Sequence, residues 1–231
     1  MASTSPDKTV RFWDTRISKI AGSVSTTGEN INLLFSPDGN TVCVGNKDDC
    51  LNFIDVRKMA SINQQQCRFE VNEFCWSPNG KLFFMATGLG QVHILSYPDL
   101  KVLYQMPAHT ANCVCVRFDP TGQYFAVGAA DSLTSIWRSR DLICTQMINR
   151  LDWPIRSLSF SHDGLMLASA SEDTFIDITS VKTGEQIAAV ACEAASFSIA
   201  FHPQQYVLAF TCDDSKEPGS VKVYGLASES N

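Results

Sequence analysis

The 231-residue chain has little of what enzymes, membranes or nucleic acids demand. It holds only four histidines, His93, His109, His162 and His202, and none stands near a nucleophile or a set of metal-type neighbours. Catalysis needs several groups converging on one point, so no catalytic residue, metal site, cofactor or small-molecule substrate is expected. Gly88-Leu89-Gly90 lacks the third glycine and the helix of a dinucleotide fingerprint. No apolar run approaches the roughly 18 residues of a helical membrane span. The stretch 1–6 has neither the basic start nor the apolar core of a secretory signal, and the expectation is an intracellular protein.

Basic charge is scarce too. Acids outnumber bases 24 to 18, and the densest basic stretches are Arg138-Ser139-Arg140 and the segment 150–156. Phosphate backbones are held by basic faces, so strong direct nucleic-acid binding is not expected. Cysteine is the exception to this poverty, at nine residues, but no Cys-x-x-Cys spacing occurs and the count is odd. Reduced, mostly buried thiols follow. Cys113 and Cys115 are expected on one face of a strand; they could touch a metal, but no companion ligand is near in sequence, and packing is the preferred reading.

What the chain does have is a repeat. Tight-turn tetrapeptides begin at Ser36, Ser77, Asp119, Ser161 and His202: SPDG, SPNG, DPTG, SHDG and the degenerate HPQQ. Their spacing of 41, 42, 42 and 41 residues is that of a β-propeller built from four-stranded blades. Apolar β-prone runs flank each turn, at 31–35 and 42–44, 74–76 and 82–85, 114–118 and 124–127, 155–160 and 165–168, 197–201 and 207–210. Pro presets the turn and Gly takes its positive-φ corner. Twelve residues past each anchor stands an acid, Asp48, Asp131, Asp173 or Asp214, except in the second copy, which has Leu89. Third strands are expected at 51–54, 92–95, 133–137, 175–178 and 221–224, with weaker fourth strands at 102–106, 142–147 and 186–190. Stacked blades bury both sheet faces, which explains runs more continuous than simple alternation.

Particular residues carry a resemblance to WD repeats. Asp7-Lys8-Thr9-Val10-Arg11-Phe12-Trp13-Asp14 resembles the family's third-strand ending, and Asp131 and Trp137 keep the six-residue separation of Asp7 and Trp13. His109 stands where the family's Gly-His pair would fall, with Ala108 for the Gly. The family ties strands with a His, Ser/Thr, Asp, Trp tetrad. The resemblance implies an incomplete tetrad around His109, because Val127 occupies the hydroxyl place. The unit 150–191 keeps Ser169 and Asp173 but has Leu151 and Thr179 at the other two places.

The expected fold is therefore all-β, one WD-repeat propeller domain over 1–231. Its units are 1–25 (partial), 26–66, 67–107, 108–149, 150–191 and 192–226, with a tail at 227–231. Five near-complete blades plus part of a sixth fall short of the roughly 290 residues a seven-bladed ring needs. The expectation is an incomplete ring, either a fragment or a divergent short copy, whose uncovered edges invite self-association. The segment 216–219, Lys-Glu-Pro-Gly, reads as a solvated loop.

Propellers hold partners on loop faces. The segment Asn149-Arg150-Leu151-Asp152-Trp153-Pro154-Ile155-Arg156 is rich in residue types that dominate interfaces. Arg150, Asp152, Trp153 and Arg156 are candidate partner contacts, with Glu29, Asn30, Glu70, Asn72 and Asn112 beside them. Equally open is Trp153 packed between blades, with Arg150 or Arg156 paired to Asp152. Motifs outside the generic repeat go further: Gly28–Asn32, Val44–Asp49, Phe69–Glu73, Ile94–Lys101 and above all Arg150–Arg156 running on to Asp173. Together they resemble the WD-repeat subunit family of the THO complex, from about Thr9 to Leu226. The resemblance implies a nuclear, non-catalytic scaffold among THO and transcription–export (TREX) subunits, associated with mRNA–protein particles only indirectly. The competing expectation is an adaptor for a ubiquitin ligase or a chromatin modifier.

Overall fold

The computed structural model describes residues 1–17, 19–212 and 219–226, and these contain strands and turns but no helix. The repeat acid Asp214, residues 216–218 of the loop and the tail 227–231 lie outside the described residues. Strands β1 (Ala2–Ser5), β2 (Thr9–Trp13) and β3 (Ile20–Ser25) form a three-stranded sheet. Four four-stranded sheets follow. The first comprises β4 (Asn30–Phe35), β5 (Thr41–Asn46), β6 (Cys50–Asp55) and β7 (Ala60–Gln66). Next come β8 (Val71–Trp76), β9 (Leu82–Thr87), β10 (Gln91–Ser96) and β11 (Val102–Pro107). Then come β12 (Cys113–Phe118), β13 (Tyr124–Ala129), β14 (Thr134–Arg138) and β15 (Ile143–Ile148). The last four-stranded sheet is β16 (Ser157–Phe160), β17 (Met166–Ala170), β18 (Phe175–Ser180) and β19 (Gln186–Ala191). A three-stranded sheet of β20 (Ser198–Phe201), β21 (Val207–Thr211) and β22 (Val221–Gly225) ends the series. Every sheet is an antiparallel meander.

The turn tetrapeptides do what their chemistry suggests. In each of the first four, the side-chain oxygen of the leading residue accepts the backbone N–H five positions on: Thr41 to Ser36, Leu82 to Ser77, Tyr124 to Asp119 and Met166 to Ser161, at 2.8–3.0 Å. The fourth residue, Gly39, Gly80, Gly122 or Gly164, sits at φ between 70° and 74°, where a side chain would be strained. The strand expected from Ile155 starts at Ser157, and Ile155 N–H donates instead to Ala129 O of the preceding sheet at 3.1 Å. Three strands lacked a sequence signal, β1, β3 and β7. Strand β7, Ala-Ser-Ile-Asn-Gln-Gln-Gln, is the exposed outer strand of its sheet and needs no apolar stripe.

Second strands carry the core: β5, β13 and β17 are buried almost throughout, with Val42, Phe125 and Leu167 fully enclosed. Facing sheets interlock through clusters such as Phe53, Phe74, Trp76 and Phe83, whose rings meet edge-on or stacked at 5.0–6.3 Å. The inner strands add a polar device. β4, β8 and β12 each carry a register shift near their start, between Asn30 and Asn32, Val71 and Glu73, and Cys113 and Cys115. Side chains of one inner strand then reach the backbone of the next. Asn72 Nδ2 donates to Cys113 O (2.9 Å), Glu73 Oε2 accepts Val116 N–H (3.1 Å), and Ser159 Oγ accepts Phe201 N–H (2.9 Å).

The bulge in β12 corrects the expectation for the cysteine pair. Cys113 joins the cluster shared with the 71–107 sheet, and Cys115 joins the one shared with the 157–191 sheet. The inserted residue turns them to opposite sides, so they do not share a face. His93 on β10 is buried against the Phe69 ring at 4.3 Å.

Candidate interaction face

Two kinds of loop meet at one end of each four-stranded sheet: the segment entering its first strand and the turn between its second and third. Backbone bonds stitch them together, as from Lys47 N–H to Glu29 O, Gly88 N–H to Glu70 O and Ala130 N–H to Asn112 O, at 2.8–3.0 Å. All the partner-surface candidates read from the sequence lie here.

In the 108–149 unit the polar tie is complete. His109 Nδ1 lies 3.2 Å from Asp131 Oδ2, its Nε2 lies 2.8 Å from Ser135 Oγ, and Trp137 Nε1–H donates to Ser135 Oγ at 2.7 Å. The expectation of a broken tetrad is corrected: the hydroxyl missing at Val127 on the second strand is supplied by Ser135 on the third. Asp7 and Trp13 act separately. Asp7 accepts Thr9 and Arg11, while Trp13 Nε1–H donates to Ser3 Oγ at 2.8 Å.

The 150–191 unit solves the same problem with charge. Arg150 grips Asp177 through Nε and Nη2 at 2.8 and 2.9 Å and donates to Gly184 O at 3.1 Å. Thr179 and Gln186 complete the carboxylate's shell at 2.5 and 2.7 Å. Asp177 is fully buried, so the ion pair replaces the imidazole relay. The repeat residues act elsewhere: Ser169 faces Thr134 at 3.4 Å, and Asp173 caps the loop above by accepting Asp152 N–H (2.9 Å) and Trp153 N–H (3.2 Å).

That cap decides between the two readings of Trp153. Its backbone is fixed by Asp173 and by Ser132 Oγ donating to Asp152 O at 2.9 Å, yet its side chain is 54% exposed. It does not pack between blades, and neither neighbouring arginine pairs with Asp152. Arg150 turns inward, and Arg156 pairs with Glu172. The remaining candidates divide. Asn30 is buried and ties Ser5 O and Thr9 O to its own loop, and Asn72 bonds Asn112 Oδ1 at 2.6 Å. Glu29 pairs with Lys47 at 2.5 Å and Glu70 is exposed.

One pair escaped the sequence reading. Glu73 on β8 and Arg117 on β12 meet at 2.6 Å on the inner strands. Burial pushes the Glu73 carboxyl up, opposed by Arg117, and the carboxylate in turn holds Arg117 charged. They stand 44 residues apart, two residues off the 41–42-residue period, and meet because their inner strands lie side by side. Three of the buried cysteines are poor nucleophiles. Burial pushes Cys75 and Cys113 up to about 12 and Cys67 to about 11, leaving them thiols at neutral pH.

Stacked meanders with a turn repeat and a blade-locking His–Asp–Ser–Trp knot define a WD-repeat β-propeller. Sequence comparison agrees: residues 145–178 match the WD domain, G-beta repeat, and residues 58–121 match the anaphase-promoting complex subunit 4 WD40 domain. The chain is 45% identical to THO complex subunit 3 of Arabidopsis thaliana over 99% of its own length and 74% of that protein. It belongs to the family of THO complex subunit 3. The WD repeat-containing protein AAC3 of Dictyostelium discoideum is 34% identical over 99% of this chain, which spans about half (49%) of that relative. Mitotic checkpoint protein BUB3.1 of Arabidopsis thaliana is 24% identical over 73% of the chain and 55% of that protein.

Proposed function

We propose that this chain is a nuclear, non-catalytic scaffold of a THO/TREX assembly, helping couple transcription and mRNA processing to mRNA export. Other THO and TREX subunits are its partners, and contact with mRNA runs through them. Family membership supports the assembly, and the observation that carries a docking role is Trp153. A large aromatic held in the open by three backbone bonds loses little freedom on binding, which is what interface anchors require. Asp152 and the Arg156–Glu172 pair form its polar surround.

Affinity purification from nuclear extract tests this. Other THO subunits are expected with the wild-type chain, and Trp153→Ala should reduce their recovery by tenfold or more. Recovery of ubiquitin-ligase or chromatin-modifier subunits without THO subunits would overturn the assembly. Undiminished recovery with Trp153→Ala would overturn the site alone.

A further inference from the structure

Asp152 stands exposed beside the exposed Trp153, and its carboxylate makes no hydrogen bond or ion pair with any described residue. Its backbone, by contrast, is fully engaged. Asp173 accepts its N–H at 2.9 Å, and its carbonyl accepts the Ser132 hydroxyl at 2.9 Å. The unpaired acid is thus held next to the indole by the same bonds that hold the indole open. Charges on the adjoining turns are mostly of the same sign. Asp131 precedes Ser132, and Glu172 precedes Asp173. Arg150 turns inward onto Asp177, and Arg156 is paired with Glu172 at 2.5 Å. On these three segments the carboxylates of Asp131, Asp152, Glu172 and Asp173 stand against Arg156 alone as an outward base.

Resting on the reading of Trp153 as a docking anchor, we propose the chemistry of what docks there. It is an arginine from a basic segment of a partner protein, its guanidinium stacked on the indole and its N–H edge turned to Asp152. Whatever covers Trp153 also covers its neighbour, and an apolar occupant would strip the Asp152 carboxylate of water and give nothing back. A cation replaces that water with a counter-charge and is attracted by the ring face as well. Arginine meets both demands at once, since its plane stacks on an aromatic while its edge donates in pairs to a carboxylate. The compact, strongly hydrated lysine head lacks that plane. A nucleic-acid phosphate would be repelled by the same acidic surround.

NMR titration of the full chain with a capped glycine–arginine–glycine–arginine–glycine peptide, read at the Trp153 indole N–H, tests the proposal. A saturable shift is expected. A citrulline copy keeps the shape of the side chain without its charge and should bind about tenfold more weakly. A lysine copy should also bind more weakly than the arginine peptide. Asp152→Asn keeps every backbone bond and should weaken the arginine peptide by about tenfold. Asp99→Asn removes an exposed carboxylate from the loop after β10, at the other end of its sheet, and should leave affinity unchanged. Absence of a shift at Trp153, equal binding by the citrulline or lysine copy, or wild-type affinity in Asp152→Asn would overturn the arginine. Recovery of THO subunits that still depends on Trp153 would then leave the docking anchor standing, whereas recovery indifferent to Trp153→Ala would remove the anchor itself.

Discussion

Units 108–149 and 150–191 are neighbours of equal length, yet they lock their strands by opposite means. The first runs from the partly exposed Asp131 through His109 and Ser135 to Trp137; the second gathers Arg150, Thr179 and Gln186 around the fully buried Asp177. The geometric demand is one: a carboxylate or hydroxyl fixed under the entering loop. The energetics are not. A buried ion pair is costly to half-remove, because the survivor keeps its charge without its solvent.

The sharpest break should come from Asp177→Ala. It leaves Arg150 held among Gly184 O and Thr179 with no counter-charge, and about 3–5 kcal/mol of stability should go, on the order of 10 °C in Tm. Calorimetry of Arg150→Met with Asp177→Leu should recover much of that loss; a double variant as unstable as the single would contradict the ion-pair account. His109→Ala in the other unit should cost less, about 1–3 kcal/mol, since it removes hydrogen bonds from a serine and an exposed-side carboxylate. Equal losses in the two units would erase the contrast.

His93 extends the comparison to a third blade. It is buried like His109 but has one partner, Gln91 Oε1 at 3.1 Å. Burial holds its pKa below the ordinary histidine value. The unfolded chain therefore takes up a proton near pH 6.5 that the folded chain refuses, so stability is full above that pH and falls as the pH drops below it. Melting curves from pH 7 downward should show this loss, and His93→Gln should flatten it. Trp153→Ala lies outside every knot and should shift stability by no more than about 0.5 kcal/mol, although it removes the docking anchor.

How far the sequence could carry this comparison follows from which signals are local. The turns, the second and third strands and the Asp131–Trp137 spacing were legible because each is set within a few residues by Pro, Gly and apolar runs. The polar strand β7 was not, since an outer strand bathed by solvent leaves no hydrophobic trace. Arg150 read as a surface contact because its true partner, Asp177, is 27 residues away and appears only when strands pair. The exposure of Trp153 turned on Asp173, whose repeat position was visible but whose role was not. The bulge separating Cys113 from Cys115 is likewise a matter of ladder register, which composition does not encode.

The inner-strand bonds carry a consequence for how the molecule opens. Asn72, Glu73, Ser157 and Ser159 each lend a side chain to the backbone of the blade that follows, never to one further on. Such nearest-neighbour wiring makes the array behave like a one-dimensional chain of coupled units. Ser159→Ala should therefore speed amide exchange in the two sheets it joins and leave the 71–107 sheet protected.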